Sequence, residues 1–134
     1  MIQGNPTVSA PVKDAILLVD DEVPILEMYR SALSPHFEVS TASSVKDAQA
    51  LLHTRSYKVV VADHMMPGGN GLSFLVRARE EYPGMARLLL TGYMKPEMML
   101  RAVNEAAVFR YLLKPVPLAD FIGAVKEAAK SVAN

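Results

Sequence analysis

The sequence predicts an α/β fold, a single parallel sheet with helices on both faces. Three observations point to it. Apolar runs of strand length alternate with helix-periodic stretches five times along the 134 residues. Several of those runs are continuously apolar rather than alternating, which suits parallel strands covered on both sides. Four of the five stop at, or lead directly into, polar residues: Asp20-Asp21, Asp63, Thr91 and Lys114.

The length fits one domain with a proper core, expected over 14–134 behind a flexible N-terminal tail over 1–13. Apolar residues make up 51% and charged residues 21%, with 14 basic and 14 acidic side chains. That balance gives no overall field to draw nucleic acid or an anionic membrane. The chain has no cysteine, which excludes disulfides, thiolate metal sites and thiol catalysis. Its first residues have neither the basic start nor the apolar middle of a signal peptide, and no apolar run approaches the ~20 residues of a membrane span. The expected location is cytoplasmic.

Ala15 to Val19 is the first strand, and Asp20-Asp21-Glu22 ends it. Pro24 suits the first turn of a helix to about Leu33, with Ile25, Met28, Tyr29 and Ala32 at helical spacing. Pro35 stops that helix, and Phe37 to Ala42 alternates enough for an exposed, edge-type strand. Ser43 or Ser44 caps a second helix over Val45 to Thr54, with Val45, Ala48, Leu51 and Leu52 on one face. Lys58 to Ala62 is the third strand, ending at Asp63 before a Pro/Gly/Asn-rich loop. A third helix, Leu72 to Tyr82, is periodic in Leu72, Leu75, Val76 and Arg79 and is closed by Pro83-Gly84. Arg87 to Leu90 is strand four, running into Thr91-Gly92; Pro96 opens helix four, to about Glu105. Val108 to Leu113 is strand five, ending in Lys114-Pro115, and Leu118 to about Val132 is the last helix, with Phe121, Ile122, Val125 and Ala128/Ala129 on its face.

Right-handed crossovers put all five strand ends on one rim, and for five strands the flavodoxin-like order 2-1-3-4-5 is the common solution. That (βα)5 three-layer arrangement places Asp20-Asp21 beside Asp63, at the switch point where such folds bind and react. An Asp at a strand end can simply start a turn, an acidic pair can cap a helix, and a lone Lys or Thr on a rim is ordinarily surface or cap. Their joint placement is what carries chemistry. Crowded carboxylates repel unless a cation sits among them, and Mg²⁺ takes one or two carboxylates, phosphate oxygens and water. Asp21 and Asp63 are the expected direct ligands, Asp20 one acting through water, and the Met65 backbone carbonyl a further oxygen. An Asp beside Mg²⁺ with a Lys ammonium and a Thr hydroxyl is a phosphoryl acceptor: Asp63 attacks, Lys114 neutralises oxygens, Thr91 hydrogen-bonds another.

Val19-Asp20-Asp21-Glu22, Asp63-x-x-Met66-Pro67-x-x-Asn70-Gly71, Leu90-Thr91-Gly92 and Tyr111-x-x-Lys114-Pro115 together resemble the receiver (CheY-like) domain of a two-component response regulator, over roughly Ala15 to Val132. The resemblance implies phosphorylation of Asp63, with Mg²⁺, by a sensor histidine kinase or a histidine phosphotransfer protein. It implies a cis peptide at Lys114-Pro115 and a switch in which Thr91 moves toward the phosphoryl group while Tyr111 rotates. The face of helix four, strand five and helix five then meets an output domain, a protein partner or a second copy. Neither nucleic acid nor membrane is an expected direct partner. Such a chain is no enzyme beyond its own phosphorylation and slow dephosphorylation. Met65 and Tyr93 occupy the two positions that tune hydrolysis in the family, and neither positions water well, so slow dephosphorylation is expected.

His64 adjoins the site without metal-ligand spacing to His36 or His53 and is expected to face solvent. The eight methionines offer an adaptable contact surface or, more commonly, core filling. The wording around Thr91 and Lys114 is also similar to receivers that precede HD-GYP phosphodiesterase or sigma-54 activator modules. Two other functions compete. A phosphorylation-independent interaction module would keep the fold and lose the site, whereas Asp20, Asp21, Asp63, Thr91 and Lys114 are all present. A Mg²⁺-dependent phosphatase with an Asp nucleophile would carry a second Asp two residues on, where Met65 stands.

Overall fold

The computed structural model describes residues 12–67, 69–92 and 95–132; most of the expected tail, together with Gly68, Tyr93, Met94, Ala133 and Asn134, lies outside them. The elements alternate as expected: β1 (Ala15–Val19), α1 (Val23–Leu33), β2 (Glu38–Ala42), α2 (Val45–Thr54), β3 (Val59–Asp63), α3 (Gly71–Glu81), β4 (Ala86–Thr91), α4 (Pro96–Asn104), β5 (Arg110–Leu113) and α5 (Leu118–Ser131). The five strands form one parallel sheet in the order β2-β1-β3-β4-β5. Among the described residues, no helix is long and apolar enough to cross a membrane.

Side chains alternate across the strands and build two cores. Leu17, Val60, Ala62 and Leu89 face one side, packed with Leu52, Leu72, Leu75, Ala102 and Ala106. Ile16, Leu18, Val61, Leu88 and Leu90 face the other, against Leu26, Leu33, Phe121 and Val125. The central strands β1, β3 and β4 are thus buried on both faces, as continuous apolar runs require. The edge strand β2 is only partly buried, in keeping with its mixed sequence.

The caps follow from local chemistry. The Ser44 hydroxyl accepts the Asp47 N–H at 3.0 Å, and the Asn70 side chain accepts the Ser73 N–H at 2.7 Å. The structure turns α1 slightly from the expected face: Leu26, Tyr29 and Leu33 are buried while Met28 is exposed. Tyr29 stacks on Phe121 of α5 with ring centroids 4.0 Å apart, which sets that rotation. Arg79 leaves the core face of α3, where Leu72, Phe74, Leu75 and Ala78 are buried instead. Strand five is also shorter than expected. Ala107 adopts φ 46° and the Val108 N–H turns back to the Ala102 carbonyl at 3.1 Å, so Val108 stays out of the strand. Phe109 joins only by donating its N–H to the Arg87 carbonyl at 2.7 Å.

Candidate functional site

Asp63 ends β3 with its backbone held from two sides. The next amide, His64 N–H, donates to the Leu90 carbonyl, and the His64 carbonyl accepts the Gly71 N–H, both at 2.9 Å. The start of α3 lies so close that a Cβ on Gly71 would collide with the Asp63 carbonyl oxygen and stand 2.8 Å from its carbonyl carbon. Gly71 therefore allows the close approach that fixes Asp63. In the sequence Gly71 stands out only as part of the Asp63-x-x-Met66-Pro67-x-x-Asn70-Gly71 motif. Its signal was a glycine directly after a helix-capping Asn, where a better helix former would ordinarily stand.

Asp20 continues from β1. Its N–H donates to the Ala42 carbonyl at 3.1 Å and its Oδ1 accepts the Glu22 N–H at 2.9 Å, so one carboxylate oxygen shapes the turn into α1. The other oxygen, Oδ2, is buried without a hydrogen-bond partner. Carboxylate oxygens of Asp20, Asp21 and Asp63 lie within 4.8 Å of one another. Asp20 and Asp63 are 3% and 5% exposed. Burial chiefly, with the Asp63 charge adding, pushes the Asp20 carboxyl up, against the opposing Glu22 N–H and Lys114. An orphaned buried carboxylate oxygen beside two more carboxylates is a donor set that fits a hard divalent cation.

Lys114 enters from the end of β5, where its N–H donates to the Thr91 carbonyl at 2.8 Å, and the Lys114–Pro115 peptide is cis, as the resemblance implied. Its Nζ lies 2.6 Å from Asp63 Oδ1. Burial works to lower the Lys114 pKa, but the hydrogen bond to Asp63 and the Asp63 and Asp20 charges outweigh it and raise it. Thr91 ends β4, 1% exposed. Tyr111 pairs with Leu89 in the register and packs half-buried against the core on the α4 side.

The structure thus brings Asp20, Asp21, Asp63 and Lys114 into contact range and sets Thr91 at the same rim. Met65 lies in the β3–α3 loop and is 73% exposed, while Met66 is core. The second hydrolysis-tuning position, Tyr93, lies outside the described residues. His64 departs from the solvent-facing expectation. It is only partly exposed and its Nδ1 is buried without a hydrogen-bond partner. Burial chiefly lowers its pKa, with Arg101 adding and Asp63 opposing.

Fold and site together define an α/β receiver of the CheY-like kind, with an acidic cluster and a lysine at the carboxyl rim of a 2-1-3-4-5 sheet. The family model "Response regulator receiver domain" matches residues 16–126. The chain belongs to the response regulator receiver domain family. It is 36% identical over 116 residues to the hydrogenase transcriptional regulatory protein HoxA of Cupriavidus necator, covering 87% of this chain and 24% of that one. It is also 36% identical over 101 residues to the alginate biosynthesis transcriptional regulatory protein AlgB of Pseudomonas aeruginosa, covering 75% and 22%. The chain thus spans about a quarter of the length of these relatives. Among solved structures, the signal receiver domain of an HD domain-containing protein from Pseudomonas fluorescens superposes with a TM-score of 0.84 at 31% identity, over 89% of this chain and 96% of that one. A CheY-like receiver from Methanospirillum hungatei gives 0.84 at 28% identity, over 90% and 96%.

Proposed function

We propose that the chain is the phosphoacceptor switch of a two-component phosphorelay, taking its phosphoryl group on Asp63 from a sensor histidine kinase or a histidine phosphotransfer protein. The observation that carries this reading is the 2.6 Å contact of Lys114 Nζ with Asp63, beside the unpartnered Asp20 oxygen. A carboxylate oxygen of Asp63 attacks the phosphorus of a phosphohistidine. The O–P bond forms as the P–N bond breaks, and the electron pair of that bond leaves on the imidazole, which takes a proton. Lys114 follows the charge from the carboxylate to the phosphoryl oxygens, and Thr91 offers its hydroxyl to another. Asp20, Asp21, Asp63 and the Met65 carbonyl are the proposed holders of Mg²⁺, which when bound neutralises phosphoryl charge. The chain acts on no separate substrate, its dephosphorylation is slow, and it works in the cytoplasm.

The output leaves through the α4–β5–α5 face. Leu100 and Val103 of α4, Leu113 of β5 and Leu118 of α5 are exposed apolar side chains there. An output domain, a protein partner or a second copy is the proposed occupant, with Tyr111 coupling it to Thr91.

Acetyl phosphate with Mg²⁺ tests the reading. Intact mass is expected to show one added phosphoryl group on the native protein and none on Asp63→Ala. A folded native protein that gains no phosphoryl group and shows no tyrosine fluorescence response to beryllofluoride would favour the phosphorylation-independent module instead.

A further inference from the structure

The carboxyl end of α4 is held in an unusual way. Four consecutive carbonyls, Asn104 at the end of the helix and Glu105 to Ala107 in the connection that follows, are taken by two guanidinium groups that belong to other elements. Arg79 of α3 donates from Nη1 to Asn104 at 2.9 Å and to Glu105 at 3.1 Å. Arg87 of β4 donates from Nε to Ala106 at 2.7 Å and from Nη2 to Ala107 at 3.3 Å, and its Nη1 reaches the Met85 carbonyl. Arg87 is buried, a costly place for a guanidinium, and burial lowers its pKa, with the neighbouring Arg79 charge adding. The Ala107 backbone is left-handed at the same spot. The carbonyls of Arg101 and Ala102 in the last turn are taken by the backbone N–H groups of Glu105, Ala106 and Val108, so the two guanidinium groups hold the segment just after them.

At the other end of α4 the N-cap residue, Lys95, makes no side-chain cap hydrogen bond. Only Ala102 of the helix is fully buried, against five residues of α3. A helix with so little apolar burial is the kind of element that moves. Arg87, Leu89 and Thr91 share one face of β4, the α4 side, because strand side chains alternate. Four residues of strand, about 13 Å, separate the Thr91 end from the Arg87 end.

Resting on the receiver reading, we propose that Arg79 and Arg87 clamp the carboxyl end of α4 as a fixed pivot, so that phosphorylation at Asp63 displaces only its amino-terminal half. The two arginines are positioning residues for the switch and touch no phosphoryl group. They determine which part of the α4–β5–α5 face changes, with Leu100 on the moving side and the α4–β5 loop held still.

Amide hydrogen exchange on the full chain tests this, with and without Mg²⁺ and beryllofluoride, for native protein, Arg79→Met and Arg87→Lys. The ¹⁹F signal of bound beryllofluoride reports loading separately. In native protein, loading is expected to change exchange over 96–101 and leave Glu105, Ala106, Val108 and Phe109 unchanged. In the variants those four amides are expected to exchange about tenfold faster, and loading to reach them. Lysine keeps the charge and loses the fork that spans two carbonyls. Arg79 is exposed, so its variant decides the test even if burial of Arg87 keeps Arg87→Lys from folding. Native-like exchange at those amides in Arg79→Met, or native changes at the loop as large as at 96–101, would overturn the pivot. Absence of a bound ¹⁹F signal in folded native protein would refute the phosphoacceptor reading, and the pivot with it.

Discussion

Replacing Asp20 by Asn should stabilise the metal-free protein and abolish most of what Mg²⁺ adds. The carboxylate oxygens of Asp20, Asp21 and Asp63 lie within 4.8 Å of one another. Unit charges at that separation repel by about 3.5 kcal/mol at an effective dielectric of ~20 and by about 0.9 kcal/mol in water. Asp20 faces two such neighbours, and Lys114 offsets part of the repulsion. Removing its charge is therefore worth about 1–2 kcal/mol. Asn keeps the side-chain oxygen that accepts the Glu22 N–H and replaces the unpartnered Oδ2 by a donor near two carboxylates. Urea unfolding in EDTA should show the midpoint of Asp20→Asn raised by about 0.5–1 M, given slopes of about 1–3 kcal/mol per molar. Mg²⁺ at ten times its dissociation constant should stabilise the native protein by about 1.4 kcal/mol and the variant by much less, narrowing or reversing the gap. A variant less stable than native in EDTA would show that the rim is not under charge strain, and the metal argument from Asp20 would fall.

Other perturbations probe the same frame. Gly71→Ala should cost about 2–3 kcal/mol in urea unfolding, because its Cβ meets the Asp63 backbone, and a loss under ~0.5 kcal/mol would show that the approach yields freely. Lys114→Met should cost about 1–3 kcal/mol by leaving Asp63 unpaired, less than for a fully buried pair because Lys114 is a third exposed. The Lys114 pKa is raised in the fold, so its stabilisation is complete below the ordinary value of 10.5 and lost as pH rises through the raised one; the variant should lack that alkaline decline. Asp20 behaves oppositely to most carboxylates. Its pKa is also raised, so between the ordinary 3.8 and the raised value the fold binds the proton more readily than the unfolded chain. This contribution to stability in EDTA should grow as pH falls through that window, and Asp20→Asn should remove it. Ala107→Gly should raise stability by about 0.5–1 kcal/mol, since its φ of 46° suits glycine; a lower melting midpoint would count against strain there.

What the sequence made legible was whatever a periodic pattern or a strand terminus records. β1 and α2 begin and end where expected, because an apolar run stops at charge and a Ser cap opens a helix. Asp20, Asp21, Asp63, Thr91 and Lys114 were legible for the same reason, each closing or following a strand that topology brings to one rim. What escaped depends on contacts between distant residues. The rotation of α1 is set by Tyr29 on Phe121, and the role of Gly71 by the backbone of Asp63. Arg79 matched the period of α3 and read as part of its inner face, yet its guanidinium reaches around to carbonyls 25 and 26 residues away.

Arg87 shows why such a residue is invisible to pattern and informative in structure. In a strand buried on both faces it breaks the apolar run, and of the partners that receive its guanidinium only Met85 is a neighbour along the chain. The bonds to Ala106 and Ala107 account for its burial, since buried charge is tolerated where several acceptors surround it. A stripe of β4 thus carries a buried hydroxyl at the rim and a buried guanidinium at the far end, with Leu89 between them. Both polar ends face α4, which itself fully buries only Ala102. With so little of that helix fully buried, the side-chain hydrogen bonds at its carboxyl end weigh heavily in its position. The end beside Arg87 is held by guanidinium hydrogen bonds to four successive carbonyls, which is what places the proposed pivot there.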